Sequence, residues 1–548
     1  VKSESSQAPL TEEPANTEAT NTGPEPKYYS SNKLFSSAQI KAFEQEFFKK
    51  TGISSLDLMH EAGTQIAAYI NTTYSFLSGS DSEVHVICGP GNNGGDGVTT
   101  ARVLKELGFQ VSLLIVKSAK YSEEMLAQIE SLETDKYAFT FIDTSDSPDL
   151  SRVSIETFSQ SIKKADLVID CLLGIGQKGE LRGIISDCCT IVMAEKDRRD
   201  NLNLVSIDLP TGFNCDSGQI YKNCIKPDIT LVLQYFKTGQ VQSPAFENLG
   251  KVVILDIGLD LLDYKSEYEL ITNADLISRP RDCHKGHFGH VLLVAGSPSM
   301  PGAGLLAASA CLRAGAGLTT LTTADAGFAA SFCAYLPELM YLISDNDWTK
   351  AANKIVSSLD KYSSLLIGPG LGLGEEQTGF VFHLLREVSK RNLPCVLDAD
   401  GLSALADLRK MGVPISLSNV IITPHIGEAS RLLGISSLEI QNNRYAAAEK
   451  LQAELDCCVV LKGPSTICRF KQSGLVNSSG GPFLSTAGSG DVLAGIITSF
   501  LAQGYSQTQS VSNAVFIHGL AGELAHAQHQ GPILASDIIT QIPFALGT

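Results

Sequence analysis

Short unbroken runs of Val, Ile and Leu, each closed by glycines or an acid and followed by a helical stretch, recur along this chain. They leave it few folds. In the first half the runs are EVHVICG, QVSLLIV, DLVIDCLLG, NLVSIDLP, DITLVL and KVVILDIG. In the second half they are HVLLVAGS, SSLLIGPG, CVLDAD, NVIITP and CVVLKG. Runs without polar alternation describe strands buried on both faces, and helices between them are the crossovers a parallel sheet requires. One such helix is legible in Ser54–Asn71, where Leu56, Met59, Gly63, Ile66, Ala67 and Ile70 recur at helical spacing behind a serine cap. The rhythm breaks at the charged stretch DYKSEYE, so two α/β domains are expected, 31–262 and 268–548. They differ in length and motifs and are not a repeat. Three helices close the second, in GDVLAGIITSFLAQG, SNAVFIHGLAGELAHAQ and SDIITQIPFAL. Residues 1–30 are rich in Ser, Thr, Glu, Pro and Asn and poor in large aliphatics, the composition of a disordered tail.

Charge restricts the partners. The 548 residues carry 59 acidic and 42 basic side chains, a net −17. Nucleic acid or an anionic membrane would need a basic face, so neither is expected as a partner. An anionic ligand would instead be held by peptide N–H groups at a glycine-rich turn. No apolar run reaches the ~20 residues that span a bilayer. The 13 cysteines are scattered and include no CxxC pair, which fits reduced thiols used as small core residues in the cytoplasm. The first residue is Val1, which leaves an upstream targeting segment open.

The sharpest signal in the first domain is CGPGNNGGDG, Cys88 to Gly97, between the strand EVHVI and the helical stretch VTTARVLKELG. It is neither GxGxxG nor a P-loop, and a tight turn would not need two consecutive amides and an acid, Asn92, Asn93 and Asp96. Asp170 closes another run, with Gly174, Gly176 and Gly179 after it; Asp208 and Thr211 follow a third, and Lys117 a fourth. A lone Asp in such a place is often only a helix cap. In parallel sheets, however, the ligand crevice lies outside the carboxyl ends of the strands, where these groups should meet. Oxygens from Asn93, Asp170 and Thr211 would suit a hard cation such as potassium.

In the second domain, STAGSGDVLAGIITSFLAQG sets Gly488, Gly490 and Asp491 where a loop becomes a helix. Its N–H groups could stabilise charge on a transferred phosphoryl while Asp491 takes a proton from an attacking hydroxyl. The bland reading is an acid complementing the helix dipole. Other strand ends carry Gly368, Gly370 and Gly372; Asp398 and Asp400; His425 and Glu428; and Lys462 to Thr466. So many marked strand ends are hard to explain as turns. His284, His287 and His290 form HxxHxxH, but Gly286 and Gly289 break the spacing and no further ligands complete a site; a glycine-rich lead into a strand is expected. The pair His526/His529 is read as a solvent-facing helix end.

GNNGGDG, VIDCLLGIG and SIDLPTG together resemble the epimerase domain of the bifunctional NAD(P)H-hydrate repair enzymes, over roughly residues 36–262. The resemblance implies a Rossmann-like α/β/α sandwich. It places the hydrated dinucleotide on Asn92, Asn93, Gly94, Gly95 and Asp96 and on the loop Gly174, Ile175, Gly176, Gln177, Lys178, Gly179 and Glu180. It implies potassium at Asn93, Asp170 and Thr211, and catalysis at Asp208 with Lys117 as its partner. Thr211 stands where the family more often has Ser, and Leu209 where it has Ile. HKGHFGHVLLVAGSPSMPGAG, GPGLG, LDADGL, TPHIGE, KGPST and AGSGD similarly resemble the ribokinase-like, ADP- or ATP-dependent NAD(P)H-hydrate dehydratases, over roughly 268–548. That implies adenine nucleotide with Mg²⁺ on Lys462, Gly463, Pro464, Ser465, Thr466 and Gly490. Ala303, Gly372, His425 and Asp491 would line the hydrate, and Pro301 is unusual beside Ala303.

The reading is metabolite repair. NADH and NADPH hydrated across a ring double bond give R and S epimers, NADHX and NADPHX. On that resemblance the first domain would interconvert them, and the second would phosphorylate the S form and let phosphate leave. A homo-oligomer is expected. The alternative is a ribokinase-like small-molecule kinase, whose phosphoester is its product, fused to a non-catalytic nucleotide- or protein-binding domain.

Overall fold

The structure, a computed structural model, describes residues 24–143, 152–260, 264–323 and 326–547. Its contacts divide the chain into Val1–Ser266 and Glu267–Thr548. The expected end of the first domain, at 262, lies outside the described residues, as do 1–23 of the expected tail.

The sheet of the first unit runs, edge to edge, Lys251–Leu255, Ile229–Leu233, Asn203–Ile207, Ala165–Cys171, Glu83–Cys88, Gln110–Val116, Thr140–Ile142, Arg152–Val153. Every neighbouring pair is parallel. Side chains alternate between two cores, Val86 and Cys88 joining one and Ile87 the other, which is why these runs carry no polar alternation. From Glu83–Cys88 the chain first builds outward through Gln110–Val116 and then returns to add Ala165–Cys171 on the opposite side. The switch point, and hence the crevice, lies between those two central strands.

The helix after Cys88 differs from expectation. It begins at Asn92, so Asn92–Gly97 form its first turns rather than a loop before it. The glycines let this helix press on its surroundings: a Cβ at Gly94 would lie 2.0 Å from the Gly89 carbonyl oxygen, and one at Gly95 2.5 Å from Met59 Sδ.

A short parallel pair, Lys33–Phe35 with Phe236–Lys237, seats the helix Ser37–Thr51. Ser36 and Gln39 cap that helix reciprocally, and Asp216 accepts from Ser37 N at 2.5 Å and from its hydroxyl at 2.7 Å. Phe35, Phe43 and Tyr235 pack beneath it. Residues 24–30 do not behave as a tail. Tyr28 bridges Leu255 antiparallel, Tyr29 N donates to Ile254 O at 3.1 Å, and Asp256 N donates to Lys27 O at 2.9 Å. Tyr29 is half-buried, edge-on to Tyr235, while Tyr28 stays exposed.

In the second unit the parallel strands run Met340–Ile343, Leu318–Thr323, His290–Val294, Ser364–Ile367, Cys395–Leu397, Val420–Ile422, Cys458–Leu461. An antiparallel turn then adds Ile467–Arg469 and Gly474–Asn477, and Tyr268–Ile271 pairs parallel with the latter. Part of DYKSEYE, read as a junction, is thus strand. Leu318–Thr323 escapes a search for aliphatic runs because threonine occupies its buried positions Thr319, Thr320 and Thr322. The helices Ser489–Ala502, Gln507–His529 and Ala535–Ala545 close the unit over a core including Val492, Ile496, Val511, Ile517 and Ile538. Among the described residues no helix is long and apolar enough to cross a membrane.

Candidate active sites

A cavity of about 670 Å³ opens at the switch point of the first unit. Asn92, Asn93 and Asp96 reach it from the first turns of their helix, Gly174–Gln177 from the loop after Ala165–Cys171, and Asp208 from the end of Asn203–Ile207. Gly94 and Gly95 lie behind this wall in the same turn. Lys178, Gly179 and Glu180 do not line the cavity; the Glu180 carboxylate accepts from Lys222 N at 2.9 Å instead.

Asn93, Asp170 and Thr211 are brought together through one residue, Leu173. Asn93 Nδ2 donates to Leu173 O at 3.1 Å, Leu173 N donates to Thr211 Oγ1 at 3.1 Å, and that hydroxyl donates to Asp170 Oδ1 at 2.7 Å. Asp170 also accepts from Ser206 Oγ, Thr211 N and Leu172 N. Burial nonetheless holds its pKa above the ordinary carboxylate value, against the pull of those donors. Among the described residues Asn93 Oδ1 is buried without a hydrogen-bond partner. An unsatisfied amide oxygen beside a buried carboxylate and a hydroxyl is an all-oxygen donor set that fits a hard monovalent cation.

Asp208 sits at φ 60°, a left-handed conformation that a non-glycine residue adopts at a cost of about 1–3 kcal/mol. Its backbone is fixed by Asp208 N to Leu231 O at 2.7 Å and by Gln240 Nε2 to Asp208 O at 2.8 Å. The carboxylate forms an ion pair with the buried Lys237 ammonium and accepts from Leu233 N. This corrects the expected partner: Lys117 lies off the cavity, its ammonium 3.2 Å from Asp143. Three more acids share the space, Asp96, Glu44 and Glu124. Asp96 is raised well above the carboxylate range by burial, then by Asp208 and Glu44. Glu44, on the helix Ser37–Thr51, is raised to about 7 by burial and by Asp208, against Lys237 and Lys41. Sequence reasoning missed Lys237 and Glu44. The one available signal was an acid set four residues after Ile40, against the apolar stripe Ile40, Phe43, Phe47.

In the second unit Lys462 Nζ lies 2.7 Å from Asp398 Oδ1 and 4.0 Å from Glu428 Oε2. Burial works against this ammonium, but Asp398 and Glu428 outweigh it and its pKa is raised. Asp491, in the first turn of Ser489–Ala502, is pushed up to about 7 by burial and by Asp398, with Lys462 opposing. A Cβ at Gly490 would lie 3.2 Å from Lys462 Nζ and 3.9 Å from Asp398 Oδ2. The missing side chain therefore leaves a cradle walled by a cation, two carboxylates and helix N–H groups, fit for polyphosphate and a divalent cation. His425 caps its helix, accepting on Nδ1 from Gly427 N at 2.9 Å, while its own N donates to Glu428 Oε2 at 2.8 Å. Burial raises Glu428 to about 7.

The turn Gly463–Thr466 is clamped from behind by buried Arg444, which donates to Leu461 O at 3.2 Å and to Pro464 O. Gly372 N donates to Asp400 Oδ2 at 2.8 Å, and Ala303 stands in the first turn of Pro301–Arg313. Beside Pro301 and Leu371 a cavity of about 380 Å³ is walled by Phe328, Phe332, Trp348 and Phe380; Asp491 and Lys462 are not part of it. His518, missed in the sequence, is buried against Ser489 at 3.1 Å and lowered to about 4 by burial, so a neutral imidazole braces the Asp491 turn. His290 meets Thr320 Oγ1 at 2.8 Å, whereas the His284 and His287 rings meet at a tilt of 32° in an exposed turn. His526 stacks on Phe483.

The sequence model for NAD(P)H-hydrate dehydratase matches residues 291–544, and that for the YjeF-related protein N-terminus matches 55–239. A bifunctional NAD(P)H-hydrate repair enzyme of Thermofilum pendens is 32% identical over 527 residues, 93% of this chain and 95% of the relative. One of Coxiella burnetii is 31% identical over 525 residues, 93% and 98% of the two chains. An ADP/ATP-dependent NAD(P)H-hydrate dehydratase from Bacillus subtilis, co-crystallized with ATP/Mg²⁺, is 29% identical, with a TM-score of 0.42 over 50% of this chain and 94% of that one.

Proposed function

This chain belongs to the bifunctional NAD(P)H-hydrate repair enzymes, joining an epimerase to an ADP/ATP-dependent dehydratase, and from that premise we propose how its residues divide the work. The hydrated dinucleotide lies in the first cavity on Asn92, Asn93, Asp96 and Gly174–Gln177, with its reduced ring against Asp208 and Lys237. Asn93, Asp170 and Thr211 would hold potassium, which supplies fixed positive charge near the dinucleotide's phosphates.

In the second unit Ala303, Gly372 and His425 present the S hydrate. Lys462, the Gly463–Thr466 turn and Gly490 take the nucleotide phosphates, with Mg²⁺ sharing their charge. Asp491 accepts the proton of the hydrate's hydroxyl as its oxygen attacks the terminal phosphoryl. Hydroxide is a poor leaving group and phosphate a good one. Loss of phosphate from the ring, with a proton from the adjacent carbon, restores the dihydropyridine. The observation that supports this most is the Asp491 carboxyl, lifted to about 7 beside Lys462 and a helix N-terminus, where a base is most effective near neutral pH. The thirteen free cysteines suit a reducing, cytoplasmic compartment.

Mixed epimers incubated with ADP or ATP, with and without potassium, test the reading. Dihydropyridine absorbance should return fully with the native chain. It should not return with Asp491→Asn, which should still interconvert the epimers. With Asp208→Asn only the S fraction should recover. A stable phosphoester as end product would refute dehydration.

A further inference from the structure

The first cavity holds more carboxyls than binding a hydrated ring requires, and one comes from outside the segment matched by the amino-terminal family model. Glu44 belongs to Ser37–Thr51, whereas that match begins at residue 55. Its helix is fixed at its start by the Ser36/Gln39 caps and by Asp216, and along its length by Phe43 packing on Phe35 and Tyr235. Glu44 therefore faces, across one cavity, the ion pair of Asp208 and Lys237.

Water adds to an enamine so that the hydroxyl lands on the carbon beside the ring nitrogen. That centre is inverted by expelling the hydroxyl and returning water to the other face. Expulsion needs a proton delivered to oxygen and a negative charge near the ring nitrogen as it becomes cationic. We propose that Glu44 is a further catalytic residue of the epimerase, the general acid that protonates the departing hydroxyl, while the Asp208 carboxylate faces the cationic ring. The Glu44 O–H proton moves to the hydroxyl oxygen, the C–O bond breaks, the nitrogen lone pair forms C=N⁺, and water leaves. Water then attacks the opposite face, the C=N π pair returns to nitrogen, and the released proton goes back to Glu44. No electrons are transferred and no co-reactant is consumed.

The surroundings divide the roles. Among the described residues Glu44 has no cationic partner as close as Lys237 is to Asp208, and burial lifts it to about 7, so much of it is protonated at neutral pH. The charged groups facing it are Lys41 on its own helix, Asp208, Lys237 and Asp96 across the cavity, Lys120 on the cavity wall, and Glu124 on the helix Glu123–Thr134. This inference rests on the reading that the hydrate's ring lies against Asp208.

The test uses the full chain with purified S hydrate and no nucleotide, scoring appearance of the R form. Glu44→Gln should lower kcat about 100-fold or more with little change in KM, and Glu44→Asp should recover part of it. Native kcat should fall as pH rises past about 7, a limb absent from Glu44→Gln. In ¹⁸O-water each native turnover should place one solvent oxygen in the product. Native-like kcat in Glu44→Gln, or product that keeps its original oxygen, overturns the proposal. A thermal unfolding profile of the full chain unchanged in Glu44→Gln shows that the first unit is folded, and dehydration of the S hydrate with ATP reports on the second. If that variant does not fold, Glu44→Asp and the oxygen label decide. Active Glu44→Gln beside inactive Asp208→Asn sinks only Glu44; activity in both sinks the cavity reading itself.

Discussion

Lys237 shows what a side chain gains from its surroundings and how little of that is written locally. Replacing it with Met leaves the Asp208 carboxylate buried and unpaired, a loss of about 3–5 kcal/mol. Epimerisation should fall at least about 100-fold and the thermal midpoint should drop. Lys117→Met removes only a half-exposed pair worth about 0–1 kcal/mol, and epimer interconversion should stay within about twofold. Asn93, Asp170 and Asp208 could be read from the sequence because each is polar at the end of an apolar run. Lys117 satisfied the same rule yet lies off the cavity beside Asp143, since strand ends carry no record of lateral order. Its strand lies three places from Asn203–Ile207, about 14 Å at 4.8 Å per strand. For Asp491 the sign of the pH effect is fixed. A base raised to about 7 is protonated below that value, so kcat/KM for dehydration should climb with pH up to about 7 and then level. A pH series read by absorbance checks it, and the limb should vanish in Asp491→Asn.

Elements were legible where both faces are buried and hidden where packing replaced aliphatic character. The strand Leu318–Thr323 is mostly threonine, and the antiparallel turn Ile467–Asn477 has runs too short to stand out. The helix at Asn92 starts earlier than its sequence suggests because glycine has poor helix propensity. Its glycines are there for proximity, and the two central ones differ in what they touch. Gly94→Ala would drive a methyl into a backbone carbonyl, which cannot step aside; Gly95→Ala meets the mobile end of Met59. Thermal unfolding of the full chain should show Gly94→Ala losing about 1–3 kcal/mol, together with epimerisation, and Gly95→Ala less than about 1 kcal/mol.

Each unit, taken alone, follows one plan: a run of parallel strands with polar side chains gathered at the carboxyl ends of the central ones, to which the second unit adds an antiparallel turn. The plan was legible from the order of runs; the cavities were not, because they are lined by residues far apart in sequence. The outer strand Lys251–Leu255 shows what such a sheet must still manage, an open row of peptide groups. Tyr28 and Tyr29 lie along it. Removing residues 1–30 should therefore leave a sticky border, seen as higher-mass species in light scattering at raised protein concentration, with both activities initially retained. An affinity handle placed ahead of Pro24 is harmless on this view, whereas trimming the chain at Ser30 to tidy it for crystals would undo the lacing that keeps one copy from templating the next.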